Sequence, residues 1–247
     1  MNGIDVFVKL VDFIETAPEL FPRSTKKSWT PTLTAFFYYL GTSEGYEVRC
    51  GDYFAYLANI RVARGLASLP RDFDQLCRPW VKDSVRAHGL LAIDACWVPK
   101  GFSIPRKFGS VPRPDSAHII LAFEHEDEGT LYTDKRGTNI HVVLDEIRKI
   151  GNVKSDMKII SYITSREEID DQTCIEKIQD EIKLVPMCEN LTKEWFIIQI
   201  AKYERKSSRK KKIIKDGRRV LHCRGIALNS AGDVDGEATE RTVMYPT

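Results

Sequence analysis

Apolar residues near the N-terminus are three and four positions apart, which is the spacing of one face of an α-helix. They predict an amphipathic core helix over residues 3–15, which Pro18 and Pro22 bring to an end. A second helix is expected to begin near Ser28 and to run through an apolar segment until Gly41 ends it.

Short apolar runs replace this pattern in the middle of the chain. Residues 46–50 are predicted to form a short strand, and residues 52–82 are interpreted as helical pieces broken by proline. Two runs rich in strand-forming residues, 89–98 and 117–126, are predicted to be strands. The stretch between these two runs is dense in proline and glycine, so it is not expected to form a central strand or a helix.

The second half of the chain alternates helical and strand patterns. We predict a helix over residues 139–150, followed by a strand at 157–163. A further helix at 171–184 and a strand at 194–203 complete the order. This order of elements favours an α/β (α+β) fold with a mixed central sheet flanked by helices.

The composition is that of a folded globular protein: 43% of the 247 residues are hydrophobic and 29% are charged. Neither an internal repeat nor a long linker divides the chain. A single domain over residues 1–247 is therefore expected, with its core at about 29–200 and a loosely ordered tail at 230–247. Because no apolar run is long enough to span a bilayer and the N-terminus is acidic where a signal peptide is basic, we expect a cytoplasmic protein without a membrane partner.

Several chemistries lack their sequence signatures. The six cysteines are scattered without a CxxC pair, and no histidines stand at zinc-ligand spacing, so the cysteines are interpreted as buried apolar side chains. The motifs GxSxG, GxGxxG and GxxxxGK[ST] are all absent. Their absence argues against a serine hydrolase, a dinucleotide-binding enzyme and a P-loop enzyme.

Acidic residues in the two central apolar runs point to metal chemistry. Asp94 lies within the first run, and Glu124 and Glu126 share one face of the second, because side chains alternate along a strand. Close carboxylates in an apolar setting repel one another, so a bound Mg²⁺ or Mn²⁺ is their readiest explanation. Such a metal site is suited to phosphodiester hydrolysis. The alternatives for Asp94 and Glu124 are structural acids at strand ends or a buried pair with arginine, and the alternative for Glu126 is a solvated turn.

With these acids in place, the sequence resembles the PD-(D/E)xK nuclease superfamily, the fold of many restriction and repair endonucleases. In that family an Asp on one strand and a (D/E)xK motif on the next hold Mg²⁺, and the core elements run helix, three strands, helix, strand. The matching residues are Asp94 and Glu124-His125-Glu126, and the resemblance covers about residues 29–165. It implies a restriction-endonuclease-like core in which Asp94 and Glu124 are the metal ligands.

Two positions depart from the pattern of that family. Ile93 stands in place of the proline, and Glu126 stands in place of the lysine. Some relatives carry an active-site residue on the following helix, where Lys149 is the candidate here and Glu146 shares its helical face. A surface ion pair is the alternative interpretation of Lys149 and Glu146. The acids nearest to the first core helix, where the family has one more, are Glu44 and Glu47.

Positive charge is concentrated near the C-terminus. Residues 202–224 hold eleven lysines and arginines against two acids, a formal charge of +9, so in a chain of +2 overall the remainder carries −7. Strand patterns flank an Asp216-Gly217 turn, which predicts a basic β-hairpin at about 194–229. Such a stripe is typical of polyanion binding, and a disordered, solvated loop is the alternative. The expected nucleic-acid contacts are Arg205, Lys206, Arg209, Lys210, Lys211, Lys212, Lys215, Arg218 and Arg219.

The acids and the basic stripe together predict a Mg²⁺-dependent endonuclease that hydrolyses DNA phosphodiester bonds. In it, Glu126 or Lys149 orients or deprotonates the attacking water, and the carbonyl of His125 adds a metal ligand. DNA rather than RNA follows from the family resemblance. The alternative is a catalytically inactive nuclease-fold module that binds nucleic acid or a protein partner, and the glutamate at position 126 keeps it open. A homodimer is also left open.

Overall fold

The fold was analysed in a computed structural model of the chain. It describes residues 1–18, 21, 29–50, 93–100, 119–127, 140–151, 153, 155–169, 172–185, 192–206, 209–215 and 217–245. The helical pieces predicted at 52–82, the start of the strand predicted at 89–98 and most of the loop after it lie outside these residues.

Two helices precede the sheet, as the apolar spacing predicts. Helix α1 (Gly3–Thr16) begins at Asn2, whose side chain accepts a hydrogen bond from the main-chain N–H of Asp5. The carboxylate of Asp5 accepts from the N–H of Asn2 in return, so both ends of this capping box satisfy free helix donors. Helix α2 (Thr30–Ser43) has proline in its first turn.

Helix α2 continues past the predicted end at Gly41. A Cβ atom at Gly41 would lie 2.5 Å from the indole nitrogen of Trp97, so this glycine allows a close approach to the sheet. The left-handed conformation that commonly follows a helix is adopted instead by Gly45, at φ 88°. Gly41 is therefore a packing position rather than a helix stop.

The remaining described residues form three more helices and a mixed sheet of nine strands. The helices are α3 (Ile140–Gly151), α4 (Arg166–Ile169) and α5 (Gln172–Leu184). The strands are β1 (Glu47–Cys50), β2 (Ala95–Val98), β3 (Ile119–Glu126), β4 (Ser155–Ser165), β5 (Glu194–Lys206), β6 (Arg209–Lys212), β7 (Ile214–Lys215), β8 (Arg218–Asn229) and β9 (Thr239–Tyr245).

The sheet order is β1-β2-β3-β4-β5-β8, with β9 on the outer side of β8. Strands β3, β4 and β5 are parallel, and β1, β2, β8 and β9 are each antiparallel to their neighbours. Helices α3 and α5 connect the parallel strands, as crossover connections require. The coarse prediction of a mixed α/β protein is confirmed.

Each face of the sheet carries its own apolar layer. The layer with α1 and α2 is rich in aromatic rings, including Phe37, which stacks on Phe123 of β3 with ring centroids 3.7 Å apart. The layer with α3 and α5 is mainly aliphatic and includes Ile147 and Ile178. Alternation along β3 thus places Phe123 against α2 and Glu124 toward α3.

The prediction of a loosely ordered tail at 230–247 is wrong for its second half. Strand β9 pairs with β8 over seven residues, from Gly225↔Thr239 to Arg219↔Tyr245. Val243 is fully buried in the layer with α1 and α2. A mainly polar segment with one fully buried residue, Val243, thus adds a strand to the edge of the sheet.

Across the described residues, no helix is both long enough and apolar enough to cross a membrane. The cysteines described with their side chains are Cys96, Cys174 and Cys223, and all three are buried and free of disulfides. This agrees with their interpretation as buried apolar side chains.

Candidate functional site

Two buried carboxylates lie next to each other where β2 and β3 meet. The register pairs Ala95 with Phe123, so the preceding residue, Asp94, falls beside Glu124. The structure places Asp94 just before β2 rather than within the strand. Asp94 is 7% exposed and Glu124 is 2% exposed. The pairing of β2 and β3 thus brings these two acids together.

A main-chain donor holds the carboxylate of Asp94. The N–H of His125 donates to Asp94 Oδ2 over 2.8 Å. This N–H lies beyond the last β2–β3 pair of the ladder, so it needs a partner from outside the regular strand pairing. The carboxylate of Asp94 satisfies it and is oriented by it.

Burial makes ionisation of both acids unfavourable. It raises the pKa of Asp94 to about 6, against the lowering effect of the hydrogen bond from His125. Burial also raises the pKa of Glu124 far above its ordinary value, and the nearby charges of Asp94 and Glu146 add to this rise. The pair is therefore under an electrostatic cost that an added cation would relieve.

Lys149 supplies a positive charge from α3. Its Nζ lies 2.9 Å from Glu124 Oε1, and it also forms an ion pair with Glu146. Burial lowers the pKa of Lys149, but its contacts with Glu146 and Glu124 outweigh this and raise it. Lys149, which shares a helical face with Glu146, therefore reaches the acids, and the ion pair offered as the alternative is present as well.

Glu126 is half-buried at the end of β3, on the same face as Glu124 by strand alternation. The two accessory acids are not brought to this site. Glu44 pairs with Lys9 of α1 at 2.8 Å. Glu47 lies opposite Val98, at the end of β2 away from Asp94. Glu44 and Glu47 were chosen because they follow the first core helix in the sequence. That nearness does not show in which direction the chain leaves the helix.

On the opposite face of β3, a chain of polar contacts runs through the ring of His125. Its Nδ1 is 2.7 Å from Ser161 Oγ of β4, and its Nε2 is 3.3 Å from Asp127 Oδ1. The residue types are those of a serine hydrolase, but Ser161 is fully buried, so a substrate could not reach its hydroxyl. The serine also meets Nδ1, whereas the serine of a hydrolase triad meets Nε2.

The basic segment forms two short hairpins. Strand β5 pairs with β8 as predicted, from Glu194↔Asn229 to Ala201↔His222. Beyond that pairing, β5 turns back into β6, and β7 turns into β8 through Gly217, which has φ 72°. Strand structure here contradicts the disordered-loop alternative.

The residues predicted to contact nucleic acid differ in their exposure to solvent. Arg219 is 6% exposed, so its prediction as a surface contact is wrong. Its neighbours in the ladder are Ile214 and Tyr245, and alternation along β8 turns it to the face that α1 covers. The side chains described as exposed are Lys211, Lys212, Lys215 and Arg218. The main chains of Arg205, Lys206, Arg209 and Lys210 form the β5–β6 hairpin.

The acids and part of the basic hairpins share one face of the sheet. Paired residues lie on the same face, and the register leads from Glu124 across β4 and β5 to Ile226 of β8. Every second residue back along β8 returns to that face, which places Arg218 and its partner Lys215 there. Three strand spacings and about eight residues of strand put them roughly 30 Å from Glu124.

The donor set fits a metal that takes few protein ligands. In the portion of the chain described, no three or more His, Cys, Asp or Glu side chains are grouped to hold a metal ion. Two neighbouring carboxylates with raised pKa values are present, and Mg²⁺ is commonly bound through one or two carboxylates, with water and substrate phosphate completing its shell. A cage for a metal with several protein ligands is not formed by these residues.

Comparison of the chain with protein-family models, with curated proteins and with solved structures gives no match.

Sequence reasoning missed the polar contacts of His125. The signal was a serine in the middle of the otherwise apolar strand that contains Ser161, since a buried hydroxyl needs a partner. Asp127 gave no comparable signal, because it stands in a run of acids at the end of a strand.

Proposed function

We propose that the protein is a Mg²⁺-dependent endonuclease that hydrolyses DNA phosphodiester bonds. The observation that carries the proposal is the buried pair Asp94 and Glu124, with Lys149 reaching it from the following helix. Carboxylates with raised pKa values in contact with a lysine are characteristic of sites that perform chemistry.

The order of elements also supports the proposal. Among the described residues, α2 is followed by β1, β2, β3, α3 and β4, which agrees with the helix, three strands, helix, strand order of the PD-(D/E)xK family. Strand β2 is antiparallel to both β1 and β3, and β4 runs parallel to β3. By this correspondence we assign Asp94 and Glu124 to the positions of the family's metal ligands.

Each residue of the site has a proposed role. Asp94 and Glu124 hold the cation, which supplies an activated water and stabilises charge on the scissile phosphate when bound. Lys149, which stands in for the lysine replaced by Glu126, orients the water from α3. Glu126 lies at the rim of the site and is a second candidate for that task.

The exposed basic residues hold the backbone of the nucleic acid. Lys215 and Arg218 face the same side of the sheet as the acids, at roughly 30 Å, which is just under the ~34 Å of one duplex turn. Contacts of this kind with phosphates give affinity without sequence choice.

A binding module without catalysis is the second candidate function. The observation that favours it is Glu126, which puts an acid where the family has its lysine. Such a module would bind DNA with a steep salt dependence and would not cut it.

Cleavage of plasmid and linear duplex DNA with Mg²⁺ or Mn²⁺ tests the proposal, with Asp94→Asn beside the wild type and EDTA as a further arm. Asp156→Asn is the matched control, because Asp156 lies near the start of β4, four residues before the partner of Glu124, and close to Lys193. We expect cutting by the wild type and by the control, and at least a 100-fold loss in Asp94→Asn. No cutting by folded wild type, together with a salt-dependent gel shift, would favour the binding module.

A further inference from the structure

The main-chain N–H of His125 connects the carboxylate of Asp94 to strand β3. It holds Asp94 Oδ2 at 2.8 Å, and both residues are buried. A displacement of the main chain at residue 125 would therefore turn the carboxylate of Asp94. The carbonyl of the same residue is the additional metal ligand that the sequence predicts, so its position affects the site twice.

The ring of His125 is fixed at both nitrogens. A carboxylate only accepts hydrogen bonds, so Nε2 donates its proton to Asp127, while Nδ1 and the hydroxyl of Ser161 share the second hydrogen bond. Asp127 is itself held by the N-terminus of α2, where it accepts from the main-chain N–H of Trp29 at 2.6 Å and from Thr30 Oγ1 at 3.2 Å. The ring thus joins β3 to β4 and to α2.

These polar contacts exceed what packing needs. The ring of His125 lies on the face of β3 that also carries Leu121 and Phe123, both buried in an apolar layer. An apolar side chain at position 125 would continue that layer without needing partners, whereas a buried imidazole costs free energy unless its nitrogens are bonded. The polar chain fixes an orientation as well as filling space.

We propose that His125 is a positioning residue: its ring, fixed by Ser161 and Asp127, holds its main-chain N–H in the place that orients the metal-binding carboxylate of Asp94. This inference rests on the proposed function for its metal. The inference predicts that the orientation of Asp94 depends on Ser161, although Asp94 makes no direct contact with Ser161 in the described network. A purely local effect at Asp94 would show no such dependence.

Ser161→Ala is the test, because it removes one hydroxyl from a buried position of β4. Ser155→Ala is the matched control: Ser155 is fully buried in the same strand, near the opposite end, and its hydroxyl has no hydrogen-bond partner among the described residues. Two quantities are measured on the full chain: Mn²⁺ affinity by calorimetry, with Asp94→Asn as reference, and hydrogen exchange at the His125 amide without metal. Thermal unfolding is followed in parallel.

We expect Ser161→Ala to weaken Mn²⁺ binding by about tenfold, the low end of the loss typical of residues that orient metal ligands. We also expect the His125 amide to exchange about tenfold faster. Ser155→Ala should leave the Mn²⁺ affinity and the exchange rate of the His125 amide within about twofold of the wild type. This should hold even if it lowers the unfolding temperature as much as Ser161→Ala does.

Unchanged exchange at the His125 amide in Ser161→Ala would overturn the inference. Equal Mn²⁺ affinity in Ser161→Ala and the wild type would overturn it also, provided that Asp94→Asn binds more weakly. If the wild type and Asp94→Asn bind Mn²⁺ alike, the metal site of the proposed function has failed. The exchange measurement then decides the positioning role by itself.

Discussion

The two charged regions of the sheet differ in how the fold accommodates their charge. Asp94 and Glu124 are buried, and each has a defined partner in His125 or Lys149. Lys215 and Arg218 are exposed, and water solvates them without help from the fold. Burial therefore gives the acids raised pKa values and fixed orientations, whereas the basic residues act only through their summed charge.

This difference predicts opposite responses to mutation. A change at the acids should alter folding stability and its dependence on pH, because a buried charge or its partner is removed. A change at the basic hairpins should alter nucleic-acid binding and leave stability nearly the same, since exposed charges contribute little to folding.

The largest effect is expected from neutralising the exposed basic residues. The triple variant Lys211→Gln, Lys215→Gln and Arg218→Gln should bind duplex DNA on the order of 100-fold more weakly at 0.1 M salt. The slope of log affinity against log salt should fall by about 2 to 3, because each lost phosphate contact contributes about 0.9. The measurement is a salt titration of binding by fluorescence anisotropy.

A second triple variant controls for net charge. It changes three exposed lysines elsewhere on the molecule: Lys177, Lys183 and Lys193. We expect its salt slope to match that of the wild type, and the free energy of unfolding of the basic triple variant to stay within about 0.5 kcal/mol of the wild-type value. Equal slopes in the two triple variants would mean that the basic hairpins are not the binding surface.

The second prediction concerns the acids and the dependence of folding stability on pH. The pKa of Asp94 rises from 3.8 to about 6 on folding, so the folded state binds more protons than the unfolded state between these values. The stability associated with protonated Asp94 is complete below about pH 4 and is lost as the pH rises through about 6. A shift of about two pKa units corresponds to roughly 3 kcal/mol of unfolding free energy.

Urea unfolding of metal-free protein from pH 4 to 8 measures this loss, with Asp94→Asn as the comparison. Asn can still accept the hydrogen bond from His125 and does not ionise. The wild type should lose roughly 3 kcal/mol more than the variant across this range. Parallel pH curves would show that Asp94 is not desolvated as the structure indicates.

The pattern of the sequence predicted the acid pair because its elements are local. Two apolar runs of strand length, one with Asp94 within it and one with Glu124 near its end, bring these acids together once the runs pair. The spacing of three residues between Glu146 and Lys149 likewise predicted a shared helical face. Both predictions depend on the side-chain periodicity of a strand or a helix, which can be recognised within a short stretch of sequence.

Contacts that depend on how distant segments pack could not be predicted in this way. The bond between His125 and Ser161 requires the parallel register of β3 and β4, which no turn fixes. Arg219 was predicted to be exposed from its place in a basic run, although its face depends on where β8 begins to pair. The same reason explains the error at Glu47, whose position follows from the β1–β2 register.

The smallest expected effect concerns the lysine that joins the acids to α3. Lys149→Met keeps the length of the side chain and removes its charge, which leaves Glu124 and Glu146 close together without their shared cation. Loss of one partner of a fully buried ion pair costs about 3–5 kcal/mol. We expect about 2 kcal/mol here, because a third of the Lys149 side chain is exposed to solvent and Glu124 can take up a proton.

Lys193→Met provides the matched control for urea unfolding at pH 7. Lys193 lies 3.4 Å from Asp156 and is 78% exposed, so the same substitution there should change the free energy of unfolding by less than about 0.5 kcal/mol. In the double variant Lys149→Met, Glu124→Gln, the loss should shrink, since the remaining amide is neutral and needs no counter-ion. Equal effects of Lys149→Met and Lys193→Met would mean that the acid site is as well solvated as the basic hairpins, and the contrast between the two regions would then disappear.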